Sequence, residues 1–597
     1  MKFLMWAVGF LLITSTFLTN PVSTQSDDEP PTAPCSEHDR DALLGFKSKI
    51  FKDTTGFLET WNNASDCCSG GWSGVDCRST APGRVSSLML QGPSPDSYMI
   101  GLLSPSLGKL QFLDTLIITG MKGIYGTIPE VFSKLTRLTS LVLDDNALQG
   151  PIPSSLGRLA RLWAISLSGN HLTGPIPASL VSLRNLSTLS LARNSLTGQI
   201  PSALSNLKRL VFLDLSFNSL SGPIPVSLGQ LGNLTNLLLT GNQLSGPIPT
   251  SLFGLSLLSQ LSIDQNQLTG EIPVEIKNLK SVEILSLSCN KLTGRIPDSI
   301  SGLTNLWDLN LSRNSLTHPL PDRAFSTGLH ALLSIDLSHN NLTLGTPPNW
   351  IGKRNFTKVH LTGCGLTGPL PIFTKPDLLS TVDLSDNHFT SGISSFFERM
   401  MTSLIYANIS NNLLRGDLST SRLPHQIAVV DLSSNKLTGS LSRLLANGTN
   451  EFLEVINVSK NNISGRIPDF LGDGWRLRVL DLGSNSILGQ IPSSVSKLDK
   501  LERLDISRNR ITGSIPTGLG LLMKLQWLDV SVNGLTGKIP DHWSGNKTLS
   551  HICFRANKLC GQIPQIRPFN IFPPAAYTNN SCLCGKPLDP CKKKKKE

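Results

Sequence analysis

Ten side chains stand out by type and spacing: Trp163, Phe212, Asp214, Phe217, Gln260, Asp264, Gln265, Trp307, Asp308 and Arg313. They are large aromatics interleaved with acids, amides and one guanidinium. The chemistry that suits them is recognition, in which aromatic anchors bury area and polar neighbours fix orientation. Catalysis suits them poorly. Carboxylates are plentiful along the chain, but a catalytic pair needs one group perturbed in a water-poor cleft. There is no G-x-S-x-G elbow, no H-E-x-x-H zinc motif and no phosphate-cradling glycine loop. The ten histidines are scattered. The expectation is a non-enzyme with no metal and no cofactor.

The elements that must position these residues come from a repeat. Asn146, Asn170, Asn194, Asn218, Asn242, Asn266, Asn290 and Asn314 stand 24 residues apart, each inside L-x-x-L-x-L-x-x-N-x-L. That period and pattern are those of a leucine-rich-repeat solenoid. Leu210, Leu213 and Leu215 show the logic. Their spacing turns three apolar side chains inward from a short strand and leaves the residues between them outward. The Asn closes the turn, where its amide both donates to and accepts from backbone groups otherwise left unpaired. One coil cannot bury its apolar edge alone, so stacked neighbours supply the stability. The ladder continues through Asn340, Cys364, Asn387, Asn412, Asn435, Asn461, Asn485, Asn509, Asn533 and Asn557, with intervals of 23 to 26 between Asn314 and Asn461. Cys364 is expected to serve the ladder as a buried thiol. Two irregular coils precede, with Pro93 and Met121 at the Asn position, giving an α/β solenoid of about twenty repeats.

Outward strand positions are mostly Ser and Asp, the filling of a solvated face. Against it, Trp163, Phe212, Phe217, Trp307 and Trp527 are expected to face out from the strands. The ligand site is therefore expected on the concave face between Trp163 and Arg313.

The chain opens with Lys2 and an apolar run from Phe3 to Leu18, then small polar residues. This reads as a secretory signal peptide cut after Thr24. No other apolar run of spanning length follows. Eight of eleven cysteines cluster at the ends of the array: Cys35, Cys67, Cys68 and Cys77 before it, Cys560, Cys582, Cys584 and Cys591 after it. In a secreted chain such clusters read as disulfide staples on caps, and no histidine stands at zinc-ligand spacing beside them. Cys289 and Cys553 lie within repeats. Sequons occur at Asn63, Asn185, Asn233, Asn310, Asn341, Asn355, Asn408, Asn447, Asn457, Asn462, Asn546 and Asn579. Asn310, Asn408 and Asn457 share the outward row, so Asn310 would mark a glycan-limited edge of the site. The net charge of +11 suits non-specific attraction to an acidic extracellular polymer; no reading helix or stacking platform points to nucleic acid.

A resemblance adds to this. The run ALLGFK from Ala42 to Lys47, Trp61, the run Asp66 to Cys68, Trp72 to Val75 and Cys77 resemble the N-terminal cap of extracellular plant leucine-rich-repeat proteins. Asp39 to Ile50 has helical spacing, with Leu43, Leu44 and Phe46 expected against the first coil. Each regular coil carries L-x-G-x-I-P or a near variant, which resembles the plant-type repeat, whose Ile-Pro pair supports a second short strand. Residues 113–138 and the cap at 559–591 are similar to polygalacturonase-inhibiting proteins. The resemblance implies the pairs Cys35–Cys67, Cys68–Cys77, Cys560–Cys582 and Cys584–Cys591. Those inhibitors have fewer coils than this chain.

The organisation read from the sequence is a signal peptide at 1–24, a disordered leader at 25–34 and an N-terminal cap at 35–84. The array follows at 85–558, irregular over 387–450 where the Ile-Pro motif disappears, then the C-terminal cap at 559–591 and a polybasic tail at 592–597. The expected role is a secreted, non-enzymatic receptor-like protein of the apoplast or cell wall. Its partner would be an extracellular protein, peptide or glycan, with a membrane receptor kinase or a pathogen hydrolase also in view and acidic wall pectin attracted non-specifically. The alternative is an inhibitor of polygalacturonase or another wall-degrading enzyme.

Overall fold

A computed structural model describes residues 33–591, apart from 63, 79–80, 318, 399–401, 446–450, 469–475, 544–545 and 568. The signal peptide, nearly all of the leader, the sequons at Asn63 and Asn447 and the polybasic tail lie outside the described residues. Among the described residues no helix is long and apolar enough to cross a membrane. The chain divides after Gln149 into two units.

Unit one opens with an α-helix, Glu37–Lys47. Acids in its first turn and Lys47 in its last agree with the helix dipole. Ala42, Leu43 and Phe46 are buried, whereas Leu44 is only half-buried. The helix also ends before Ile50: Ile50–Asp53 is instead a strand, antiparallel to Met99–Leu102. Behind the helix Trp61 stacks on Trp72 at 5.5 Å. The disulfides Cys35–Cys67 and Cys68–Cys77 close the cap. Asp39, fully buried, accepts from Arg84 Nε and Nη2 at 3.0 and 2.9 Å and from the Val85 amide at 2.9 Å. A buried charge needs such a bidentate partner. Parallel strands Val85–Gln91, Thr115–Thr119 and Ser140–Val142 then begin the repeat.

Unit two repeats one coil. A three-residue strand, as in Phe212–Asp214, pairs in register with the equivalent strand of the next coil. Seventeen strands are stacked this way, from Ala164–Ser166 to His551–Cys553, and with the three of unit one they make the twenty coils counted in the sequence. The inward leucines are buried throughout. Asn218 shows the turn: its Nδ2 donates to the carbonyls of Leu191, Leu215 and Ser216 at 3.0 to 3.2 Å, and its Oδ1 accepts from the Leu196 amide at 3.0 Å. Cys364 fills its rung only partly, its Sγ lying 3.4 Å from the Leu337 carbonyl. The ladder has one more rung than expected, Asn580, which donates to Phe554 and Tyr577 carbonyls and accepts from the Leu559 amide.

The rest of each coil follows from Ile-Pro. The pair ends a second short strand, and the Pro, near φ −64 as at Pro177, N-caps a five-residue 3₁₀ turn. Most of the helical side is therefore 3₁₀; in unit two, α-helical turns occur at Asp322–Ser326, Asn349–Lys353 and Ile393–Glu398 among the described residues. The second sheet runs in unit two from His171–Pro175 to Lys291–Thr293, breaks into strand pairs, and resumes at Leu488–Gln490. The break begins where the 24-residue spacing starts to vary, ahead of residue 387, because an added or missing residue puts the second strand out of step with its neighbour. At the end Cys560 and Cys582 face each other across paired strands and are bonded, as are Cys584 and Cys591.

Candidate ligand-binding face

The ten residues singled out in the sequence all lie along one face of unit two, but not all on strands. Phe212, Asp214, Gln260 and Asp308 are strand residues. Trp163 and Trp307 instead each precede a strand by one residue. Phe217, Gln265 and Arg313 occupy the turn before the ladder Asn, at φ 52 to 54. That left-handed position recurs from coil to coil and bends the chain into the turn; glycine fills it at Gly241. Trp163 is 38% exposed and Phe217 45%, while Phe212 and Trp307 are half-buried. The Phe217 ring lies over Gly241, where a Cβ would stand 2.7 Å from its Cδ1. The Arg193 guanidinium sits 5.7 Å from the same ring, within cation–π range.

The register of paired strands puts Phe212, Asn236, Gln260, Ile284 and Asp308 in one row. Neighbouring rows are roughly 4.8 Å apart per coil, so Phe212 and Asp308 are roughly 19 Å apart. Gln260 accepts from Asn236 Nδ2 at 3.3 Å and donates to Ser262 Oγ at 3.2 Å. Asp214 accepts from the Ser216 hydroxyl at 2.6 Å and Asp264 from the Thr240 hydroxyl at 2.9 Å. Burial raises the pKa of Asp214, Asp264 and Asp308, and hydroxyl donors only partly offset it. Arg193 and Lys358 act on Asp214 and Asp308 from a distance, but among the described residues no ion pair reaches any of the three carboxylates.

A second cluster, at the far end of the same sheet, was legible only as Trp527. There Arg503, Trp527 and His551 are register partners on consecutive strands. Arg503 lies 4.5 Å from the Trp527 ring centre, and the His551 ring stacks on Trp527 at 3.4 Å. Arg503 also reaches Asp481 and Asp505, each at 3.4 Å. Beside it Arg478 holds Glu502 through two bonds at 2.9 and 3.0 Å. Spacing was the missed signal: 503, 527 and 551 differ by 24.

The sequons separate by their hydrogen bonds. Asn408 and Asn457 each donate Nδ2 to one carboxylate, of Asp383 and Asp431, which leaves one amide hydrogen for a sugar to replace. Asn546 is different. It is buried, and its Nδ2 donates to both Leu522 and Leu525 carbonyls. In this conformation both hydrogens of its Nδ2 are engaged.

Residues 36–78 match the family model described as leucine rich repeat N-terminal domain. Leucine rich repeat models match 256–316 and 475–535, and six further segments between 137 and 473. The DNA damage-repair/toleration protein DRT100 of Arabidopsis thaliana is 35% identical over 123 residues, 19% of this chain and 32% of that protein. Receptor-like protein 41 of Arabidopsis thaliana is 32% identical over 23% of this chain and 16% of its own length. Polygalacturonase inhibitor 2, also from Arabidopsis thaliana, is 30% identical over 22% of this chain and 36% of its own. The chain thus spans about a third or less of the length of the curated relatives it matches. Among solved structures, the Arabidopsis receptor kinase HAESA in complex with the peptide hormone IDA and the co-receptor SERK1 superposes with a TM-score of 0.67 at 29% identity, covering 92% of this chain and 99% of that one. The matched models describe repeats and a cap and indicate no catalytic family. The chain belongs to the leucine-rich-repeat proteins, and its relatives include plant receptor-like proteins and polygalacturonase inhibitors.

Proposed function

We propose that this chain is a secreted, non-enzymatic recognition protein of the plant cell exterior, binding its ligand on the sheet face between Trp163 and Arg313. The observation that carries this reading is the combination on that face of exposed aromatic rings with half-buried carboxylates that no ion pair reaches. Such groups are costly to leave half-desolvated, and a partner supplying donors or cations recovers that cost. The likeness to a peptide-hormone complex supports a ligand of that general kind. A membrane receptor kinase would then read the loaded face.

A second reading, inhibition of a wall-degrading hydrolase, is favoured by the C-terminal cap with its two disulfides and by the inhibitor among the relatives. One mixed assay separates the two. Under the recognition reading, a polygalacturonase panel keeps its activity when the protein is added, and the protein captures a ligand from plant wall extract. Loss of polygalacturonase activity with a 1:1 complex would replace it with the inhibitor reading.

A further inference from the structure

Asp214, Asp264 and Asp308 are spaced, not clustered. Asp214 ends the strand Phe212–Asp214, and Asp308 opens the strand Asp308–Asn310. Asp264 stands two residues beyond the strand Gln260–Ser262. Each step along this series crosses two paired strands, with a sideways offset of two residues from Asp214 to Asp264 and of four residues back from Asp264 to Asp308. The steps are therefore roughly 12 Å and roughly 16 Å at about 4.8 Å between strands. An extended chain rises roughly 3.3 Å per residue. Side chains about four and then about five residues apart on an extended peptide lying across the strands would therefore meet these carboxylates in turn.

The surroundings select the charge of that peptide. The protein carries +11 overall, yet Asp214 and Asp264 accept from the Ser216 and Thr240 hydroxyls in place of cations, and Ser334 is the register partner of Asp308. At the other end of the same sheet, Arg503 and Arg478 sit within ion-pair distance of the carboxylates beside them. The charged groups that face the three are Arg193 near Asp214, and Lys358 and Asp336 near Asp308. Phe212, Phe217 and Trp307 lie beside the carboxylates and offer apolar contact to the residues between the charges.

We infer that this face takes an extended basic peptide whose Lys or Arg side chains, about four and then about five residues apart, pair with Asp214, Asp264 and Asp308. The inference rests on the reading of this face as the ligand site. A basic side chain brought to a half-buried carboxylate gains a charge-assisted hydrogen bond in a medium that screens poorly.

The test uses the full chain and three probes: a Ser/Leu peptide with Lys at its first, about its fifth and about its tenth positions, the same peptide with Glu for Lys, and spermine. The Lys peptide should bind in calorimetry, more weakly as salt rises, and the Glu peptide should not. Asp214→Asn, Asp264→Asn and Asp308→Asn should each weaken binding roughly tenfold. A melting temperature of the triple variant equal to or above wild type shows that it is folded. Equal binding of the Lys peptide by wild type and triple variant, no binding by either, or spermine binding as tightly as the peptide, would each overturn the inference. Capture from wall extract separates this failure from that of the broader reading. If Trp163→Ala/Phe212→Ala loses the captured ligand while the triple Asn variant keeps it, the face is a site for a non-basic ligand. If the aromatic variant keeps it, the face is not the site at all.

Discussion

The two ends of the sheet in unit two use the same scaffold and leave their charges in opposite states. Near Phe212, carboxylates are half-buried beside hydroxyls and aromatic rings, with no cation in contact among the described residues. Near Trp527, guanidinium groups bridge the acids of adjacent strands, and the aromatic ring is covered by Arg503 on one neighbouring strand and His551 on the other. Pairing there is not complete relief: burial and Asp505 still raise the pKa of Asp481 against the pull of Arg503. Yet the far end answers its charges from within the chain, and the near end leaves them to something else. A surface already satisfied gains little from a partner; one left half-desolvated gains more.

The comparison requires that the scaffold beneath be equal. Asn218→Leu and Asn509→Leu should both lower stability by several kcal/mol, since each amide serves four backbone groups and each group left unpaired costs about 1–3 kcal/mol. Denaturant melts of the two variants should agree closely; a large difference would place the contrast in the coils instead of on their surface.

On the surface the signs should be opposite. Arg503→Met leaves Asp481 and Asp505 without their cation and should destabilise by on the order of 1 kcal/mol, a figure kept small because the pair is partly exposed. Asp214→Asn, Asp264→Asn and Asp308→Asn together should leave the melting temperature unchanged or raise it. The pH dependence follows from their raised pKa values. A carboxyl with a raised folded pKa contributes stability that is fully present below its ordinary value of 3.8 and is lost as pH rises through the folded pKa. The advantage of the triple variant should therefore be greatest at neutral pH and vanish as the pH falls toward the ordinary aspartate range. A triple variant less stable than wild type at pH 7 would contradict the desolvated state of these acids. The smallest expected effect is Cys364→Asn, which completes a rung held now by long sulfur contacts and should stabilise by about 1 kcal/mol.

The scaffold was legible because it repeats. A 24-residue spacing of Asn and the inward leucines names the strand, the turn and the stacking, and the resemblance of L-x-G-x-I-P to the plant-type repeat implies the second strand. What escaped was non-repeating or divided between coils. The Asp39–Arg84 pair joins residues 45 apart in the cap, and no local pattern marks it. Ile50 continues a helical spacing yet pairs as a strand with Gly101, a tertiary choice that periodicity does not carry. Trp163 and Trp307 fall just outside the strands because the repeat template is wider than the three residues that pair. On the face, residue types were visible, but the contrast between near and far carboxylates depends on which cation reaches which acid, and side-chain reach is not written in spacing.

The most direct measurement sets two double variants side by side: Trp163→Ala/Phe212→Ala at the near end and Arg503→Ala/Trp527→Ala at the far end. Each is purified as the full chain, checked by thermal melt, and used to capture ligand from plant wall extract beside wild type. The near-end variant should melt as wild type does and lose the ligand, while the far-end variant should melt lower and keep it. A folded near-end variant that still captures the ligand, with capture lost at the far end, would contradict the account and move the binding face to the Arg503–Trp527–His551 stack.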